Sequence, residues 1–347
     1  MKKLAFFAVL ALMLVFVGAT LAQDPAPVVV GEVTQRILDR GEVICGVNEL
    51  LPGFGFPDDS GVIQGFDADF CRAIAAAILG DASAVNFRPV VAADRQTVLQ
   101  SGEVDVISRN TTFTLTRDTV WGATFGPTTF YDGQGVMVFA ESGISDLADL
   151  EGGTICVNAG TTTELNITDA MESIGADFEL STFQDFNAVM AAFNEGGCDA
   201  VTTDISGLVS QQASSADPGA YLILDVVLSK EPLGPLSPQS DTQFADIVRW
   251  TAYGLVQAEE FGISSENIDE FLTSEDPNIQ RFLGIGENAS GSLLGIPNDF
   301  MAAVITQVGN YGEIFNRHLG PDTIFGLERG LNNLYTNGGL LYSPPFR

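Results

Sequence analysis

Short apolar runs alternate with segments of helical spacing along most of this chain, a pattern that argues for an α/β fold with largely parallel sheets. Val43–Val47 reads as a first strand. Across residues 67–79 the apolar positions Phe70, Ile74, Ala77 and Ile78 recur at helical intervals, and Gly80 ends the run. Residues 85–91 are expected as a strand, 94–101 as a short helix stopped by Gly102, and 105–108 as the next strand. Open sheets of this kind bind ligands beyond the carboxyl ends of their strands, so the stretch after Ser108 is the expected address of a site.

Glycine-rich, extended residues 131–138 lead into a second α/β unit: a strand at 154–157, helices at 163–174 and 186–194, and a strand at 199–203. Residues 223–228 and proline-rich 231–235 read as the return crossing, and a long helix over 244–259 rejoins the first unit. The rest patterns as helices and loops. At the other end, Lys2 and Lys3 precede an apolar stretch from Leu4 to Val17, followed by Thr20-Leu21-Ala22. Residues 1–22 are therefore expected as a secretory signal peptide cut after Ala22, an uncleaved anchor being the other reading. The first cysteine is Cys45, too far on to carry a lipid anchor, so a soluble periplasmic or otherwise extracytoplasmic protein is expected.

Composition narrows the chemistry. The 347 residues carry 45 acidic against 15 Lys plus Arg, a formal charge of −30, which excludes nucleic acid as a partner. Beyond the leader the sole lysine is Lys230, in Ser229-Lys230-Glu231-Pro232, so neither a P-loop nor a supported Schiff-base site exists. His318 is the single histidine, which rules out paired-histidine metal sites, and no Gly-x-Ser-x-Gly elbow is present to serve a serine triad. Neither a metal nor a cofactor is implied. Four cysteines in an exported chain point to two disulfides, for which three connectivities are possible. Element placement favours Cys45–Cys71, between the first strand and the helix packing on it, and Cys156–Cys198 in the second unit; four free buried thiols are the alternative.

Two segments flank the mid-chain crossing. Residues 108–118 offer Arg109, Asn110, Thr112 and Arg117 at a strand-to-helix turn, suited to a carboxylate. The Gly160-Thr161 turn opens a helix, and Asp204 ends a neighbouring strand, a lone acid suited to an ammonium. A free α-amino acid carries both charges. Plainer uses are available to the same residues: Arg117 with Asp118 as a surface ion pair, Asp204 as a helix N-cap, and Asp67 and Asp69 as helix-start charges.

Gly65-Phe66-Asp67-Ala68-Asp69-Phe70, together with 108–118, 131–138, 160–165, 230–235, 247–251, 307–313 and the tail from Gly330 to Arg347, resembles the substrate-binding proteins of polar amino-acid ABC importers. The likeness is to their general L-amino-acid-binding subgroup and spans essentially the whole mature chain; Ala68 departs from the usual larger aliphatic residue. It implies a two-lobed clamshell of the periplasmic-binding-protein type 2 fold, with two crossover strands and a mostly helical C-terminal extension. Residues 23–135 would form the first part of lobe I, 136–230 lobe II, and 231–347 the return to lobe I plus the extension.

The resemblance also assigns roles. Arg117 would take the α-carboxylate, helped by Thr112 and Thr161, while Asp204 and Asn110 would take the α-ammonium. Arg109 would read the side chain, and Leu51, with Phe54 nearby, would replace an aromatic lid. Implied ligands are polar L-amino acids, glutamate, glutamine, aspartate and asparagine foremost. A monomer is implied that delivers them to a membrane permease, with the ATPase on other polypeptides. The rival readings are an enzyme on the same scaffold resembling cyclohexadienyl dehydratases, with Glu164 or Glu49 as its general acid, and a sensor module serving a receptor.

Overall fold

In the computed structural model, residues 28–285 and 289–347 are described; the leader, residues 1–22, lies outside them. Two sheets form the frame. The first runs in the order Val85–Pro89, Val43–Val47, Val106–Ile107, Leu236–Pro238, Ala123–Phe125; its first three strands are parallel and Leu236–Pro238 is antiparallel to both neighbours. The second runs Tyr221–Ile223, Phe130–Phe139, Ala200–Asp204, Thr154–Asn158, Glu179–Phe183, with the last three parallel. The result is a mixed α/β molecule of two lobes.

The long Phe130–Phe139 strand carries the chain from the first lobe to the second, and Lys230–Leu233 brings it back, the two pairing antiparallel with Asp132 opposite Glu231. Residues 223–228, expected within the return crossing, instead serve the second lobe. Tyr221–Ile223 is an edge strand, and the amides of Leu224 and Leu228 still bond Val136 and Gln134 at 2.9 Å, because Leu224 is needed in that core.

Local sequence explains the element that anchors the first lobe. Gly65, at φ 135°, turns the chain into the Phe66–Leu79 helix, and a Cβ there would lie 2.3 Å from the carbonyl of Phe54. Gly80, left-handed at φ 70°, returns its amide to Ala76 and stops the helix. Nearly every side chain of this helix is buried, since the sheet lies on one face and the extension helices Phe300–Val308 and Tyr311–His318 cover the other. Cys71 joins it to Cys45 on the first strand; Cys156 joins Cys198 in the second lobe.

The extension is built into the first lobe. Phe66 meets Tyr311 edge-on at 5.7 Å, and Asp69 accepts from Arg72 (2.8 Å), Arg317 (2.5 Å) and His318 (2.7 Å), which gives the lone histidine a structural place. Phe346, near the end of the chain, packs against Trp250 and Phe282 at 5.0 and 5.1 Å. The tail also grips the first crossing strand: Asn332 Oδ1 accepts from the Tyr131 amide (2.6 Å) and its Nδ2 donates to the Tyr131 carbonyl (3.1 Å). Tyr311 Oη donates to the Thr129 carbonyl at 2.8 Å just before it.

Candidate functional site

A cavity of about 270 Å³ lies between the lobes, where loops follow the carboxyl ends of parallel strands on both sides. The first lobe contributes 48–51, 88–92, Arg95 and the turn from Arg109 to Arg117; the second contributes residues from 158–163, 184–186 and 203–207. The lobes touch across it. Asn110 Nδ2 donates to Asp204 at 3.4 Å, Thr112 and Thr162 hydroxyls are 3.2 Å apart, Arg95 reaches the Gly160 carbonyl at 3.3 Å, and Ser210 donates to the Pro52 carbonyl at 2.6 Å. This is a closed arrangement.

Four arginines line the cavity; Arg88 pairs with Glu103 at 2.6 Å at the exposed rim, while Arg95, Arg109 and Arg117 are buried and form no ion pair among the described residues. Arg117 follows the Thr114 cap of the Leu115–Val120 helix; it donates to the Thr112 carbonyl at 3.0 Å and lies over the Trp121 ring at 5.1 Å. It is buried and makes no pair with Asp118, so the surface-pair reading falls. Burial lowers its pKa, partly offset by Glu231 and Asp204. Arg109 is held at about 10 by burial, partly countered by Asp67, and its Nε is buried without a hydrogen-bond partner among the described residues. Arg95 donates to the Ala92 carbonyl and to Thr111, and burial followed by the charges of Arg117 and Arg109 pushes it well down. Guanidiniums do not lose their proton in proteins, so these shifts mean that an anion in the cavity would relieve crowded positive charge.

Opposite stands an acidic group. Asp204 occupies the N-cap position of the Ile205–Ser214 helix, yet its side chain accepts no cap hydrogen bond, which leaves it to the cavity. Burial, then the charges of Asp132 and Glu231, hold its carboxyl well above the usual range. Asp132, bonded to Ser206, is pushed up to about 6, chiefly by burial. A cation beside Asp204 would offset this repulsion.

Several expected roles change in detail. Thr112 Oγ1 donates to Glu231 at 2.6 Å, and Thr161 Oγ1 donates to the Asn158 carbonyl at 2.6 Å while capping Glu164. Both hydroxyl protons are engaged, which leaves the backbone N–H groups of these threonines as their remaining donors, those at 161–162 opening the Thr162–Ile174 helix. Leu51 lines the cavity, whereas Phe54 does not. The tight Leu51–Gly55 turn aims Phe54 inward, where it is fully buried against Phe66 and Phe130 at 5.9 and 5.2 Å. Glu49 borders the cavity, but Glu164 is turned to the Gly160 amide at 3.0 Å. Asp67 is more than a helix-start charge: it accepts the Asn110 amide at 2.7 Å and is pushed up to about 6 by burial.

Sequence reasoning missed Arg95, Asp132, Thr162 and Glu231. An arginine placed after a strand end in a chain nearly devoid of lysine was the available signal for the first; acids inside apolar crossing strands were the signal for Asp132 and Glu231.

Comparison with known proteins agrees with this geometry. Residues 43–248 match the model for bacterial extracellular solute-binding proteins, family 3. The chain is 48% identical over 309 residues to the general L-amino acid-binding periplasmic protein AapJ of Rhizobium johnstonii, covering 89% of this chain and 91% of that one. It is 43% identical over 348 residues, 100% of each chain, to the glutamate/glutamine/aspartate/asparagine-binding protein BztA of Rhodobacter capsulatus. A periplasmic binding protein from Brucella ovis, solved with glutathione bound, superposes with a TM-score of 0.88 at 43% identity over 90% of this chain and 99% of that one. With that family model matched over residues 43–248, these relatives covered over nine-tenths or more of their own length and the fold shared with the Brucella protein, the chain belongs to family 3 of the bacterial extracellular solute-binding proteins.

Proposed function

We propose that this protein is an extracytoplasmic receptor that captures polar L-amino acids and delivers them to the permease of an ABC importer. The observation that carries this reading is the separation of charge in the cavity, with Arg117, Arg109 and Arg95 facing Asp204. Arg117 and the N–H groups at Thr112 and Thr161–Thr162 take the α-carboxylate; Asp204 and Asn110 take the α-ammonium. Arg109, with its unpartnered Nε, meets a side-chain carboxylate or amide, and Leu51 covers the side chain. The relative that binds glutamate, glutamine, aspartate and asparagine supports that ligand set.

The chain performs capture without catalysis, acts as a monomer, and reaches its compartment through the signal peptide of residues 1–22. Each lobe supplies part of the ligand's counter-charge, so the ligand favours the closed state by its differential contacts. Isothermal titration of the mature protein, unfolded and refolded to strip carried-over ligand, against the twenty L-amino acids tests the reading. Binding of several polar amino acids is expected, and binding of none would refute it. Glutathione belongs in the same series, because its γ-glutamyl end presents the same carboxylate and ammonium and a relative holds it. Turnover of prephenate or arogenate by the pure protein would favour an enzyme instead, with Glu49 as the acid at the cavity.

A further inference from the structure

Glu231 is 1% exposed and has no charged partner within ion-pair distance among the described residues. Four uncharged donors hold it instead. Its Oε2 accepts from the hydroxyls of Thr112 (2.6 Å) and Thr162 (2.9 Å), and its Oε1 from Asn166 Nδ2 (2.8 Å) and Ser229 Oγ (2.5 Å). These donors come from every moving part of the molecule. Thr112 belongs to the first lobe, Thr162 and Asn166 to the second-lobe helix, and Ser229 to the approach of the returning strand that carries Glu231. When the lobes part, Thr112 and Thr162, 3.2 Å apart here, must separate, and one oxygen can no longer hold both.

The same contacts reach the ligand's side of the cleft. The Thr112 hydroxyl is fixed by Glu231 while its carbonyl accepts from Arg117 at 3.0 Å, so the carboxylate orders the residue that orders the arginine. Among neighbouring groups, Glu231 is also the largest support for the Arg117 charge against its burial.

We propose that Glu231 is a positioning residue for closure, a carboxylate on the hinge that accepts a hydroxyl from each lobe only when the lobes meet and so slows release of the bound amino acid; this role rests on the receptor reading above. Glu231 itself stays clear of the ligand, its oxygens being filled by the four protein donors. A hydrogen bond to a charged group is stronger than a neutral one, so loss of one on opening is worth on the order of tenfold in dissociation rate.

The test is stopped-flow kinetics of L-glutamate with the mature protein and its Glu231→Gln, Thr162→Val and doubly substituted forms, read by the change in tryptophan emission, Trp121 lying under Arg117 and Trp250, packed on Phe346, giving a constant background. Dissociation should quicken by about tenfold in each single variant while association changes by less than about threefold, and the double variant should show less than the product of the two effects. Thr162→Val leaves Glu231 in place and reads the coupling even where Glu231→Gln lowers the melting temperature. Unchanged dissociation in folded variants, or effects that multiply independently, would overturn the assignment to Glu231. A wild-type protein that binds no amino acid would instead remove the receptor reading from which the assignment starts.

Discussion

Replacing Asp204 with asparagine probes the cleft from two directions at once. Asp204 is 6% exposed, and its single side-chain hydrogen bond among the described residues is the 3.4 Å contact from Asn110. Burial and the nearby carboxylates of Asp132 and Glu231 raise its pKa well above the ordinary value, so the closed cleft is short of one cation at this point. In the proposed complex the ammonium of an amino acid supplies it. Without the carboxylate that ammonium is buried unpaired, a loss of about 2–5 kcal/mol by analogy with truncated buried charge pairs, or roughly thirtyfold to a few thousandfold in affinity. Removing the carboxylate also removes repulsion among three acids, so the ligand-free Asp204→Asn protein should close more readily and give a smaller radius of gyration in solution scattering.

The pH dependence has a definite sign. An ammonium favours ionised Asp204, so binding releases a proton wherever the free carboxyl is still protonated, and wild-type affinity rises with pH through that window. Titrations in two buffers of different ionisation enthalpy would detect the released proton, and Asp204→Asn should abolish it. An Asn variant with native circular dichroism and an affinity within about threefold of wild type would refute the assignment of the ammonium to Asp204.

Further outcomes can be checked independently. Arg109→Gln should weaken L-glutamate binding about tenfold more than L-glutamine binding, since a charge-assisted contact is lost for the acid alone; equal losses would mean that this guanidinium does not meet the ligand's side chain. Burial alone would raise the pKa of Asp69, but His318 and Arg317 outweigh it and hold the carboxyl at about 2 against an ordinary 3.8, a contribution of about 2 kcal/mol. Because the folded value is the lower one, that stability is present above pH 3.8 and lost as pH falls toward 2. Acid unfolding of Asp69→Asn should show a correspondingly shallower loss, and an identical profile would argue against the cluster. Cys156 and Cys198 are 42 residues apart, so Cys156→Ser should cost about 4 kcal/mol in urea unfolding if loop entropy dominates.

Local chemistry was legible in the sequence; the partners of each group were not. A Ser-Arg-Asn-Thr-Thr run at a strand's carboxyl end and a Gly-Thr turn opening a helix are local facts, and Arg109, Asn110, Thr112 and Thr161 within them line the cavity. A threonine reads the same whether its proton faces a ligand or a buried acid, so the engagement of Thr112 by Glu231, on a strand over a hundred residues later, was invisible. The same distance hides Asp132 opposite Glu231, a consequence of strand register rather than of either segment alone. Phe54 was misplaced for a more local reason: within a tight turn a shift of a few residues, from Leu51 to Phe54, exchanges the cleft wall for the core.

The tail's grip on the crossing strand sets an order of events as the chain folds from its N-terminal end. Every strand of the second sheet lies between residues 130 and 233 and is complete by then. The first lobe must wait: its Leu236–Pro238 strand, the helices that cover Phe66–Leu79, the Asn332 clasp on Tyr131 and finally Phe346 against Trp250 all come later. Domains tend to fold as units as they appear, so a chain halted before residue 332 would hold a finished lobe beside an unfinished one, with apolar surface exposed and the pivot unset. The uncovered apolar face of the Phe66–Leu79 helix would thus mark a fragment out from a whole chain.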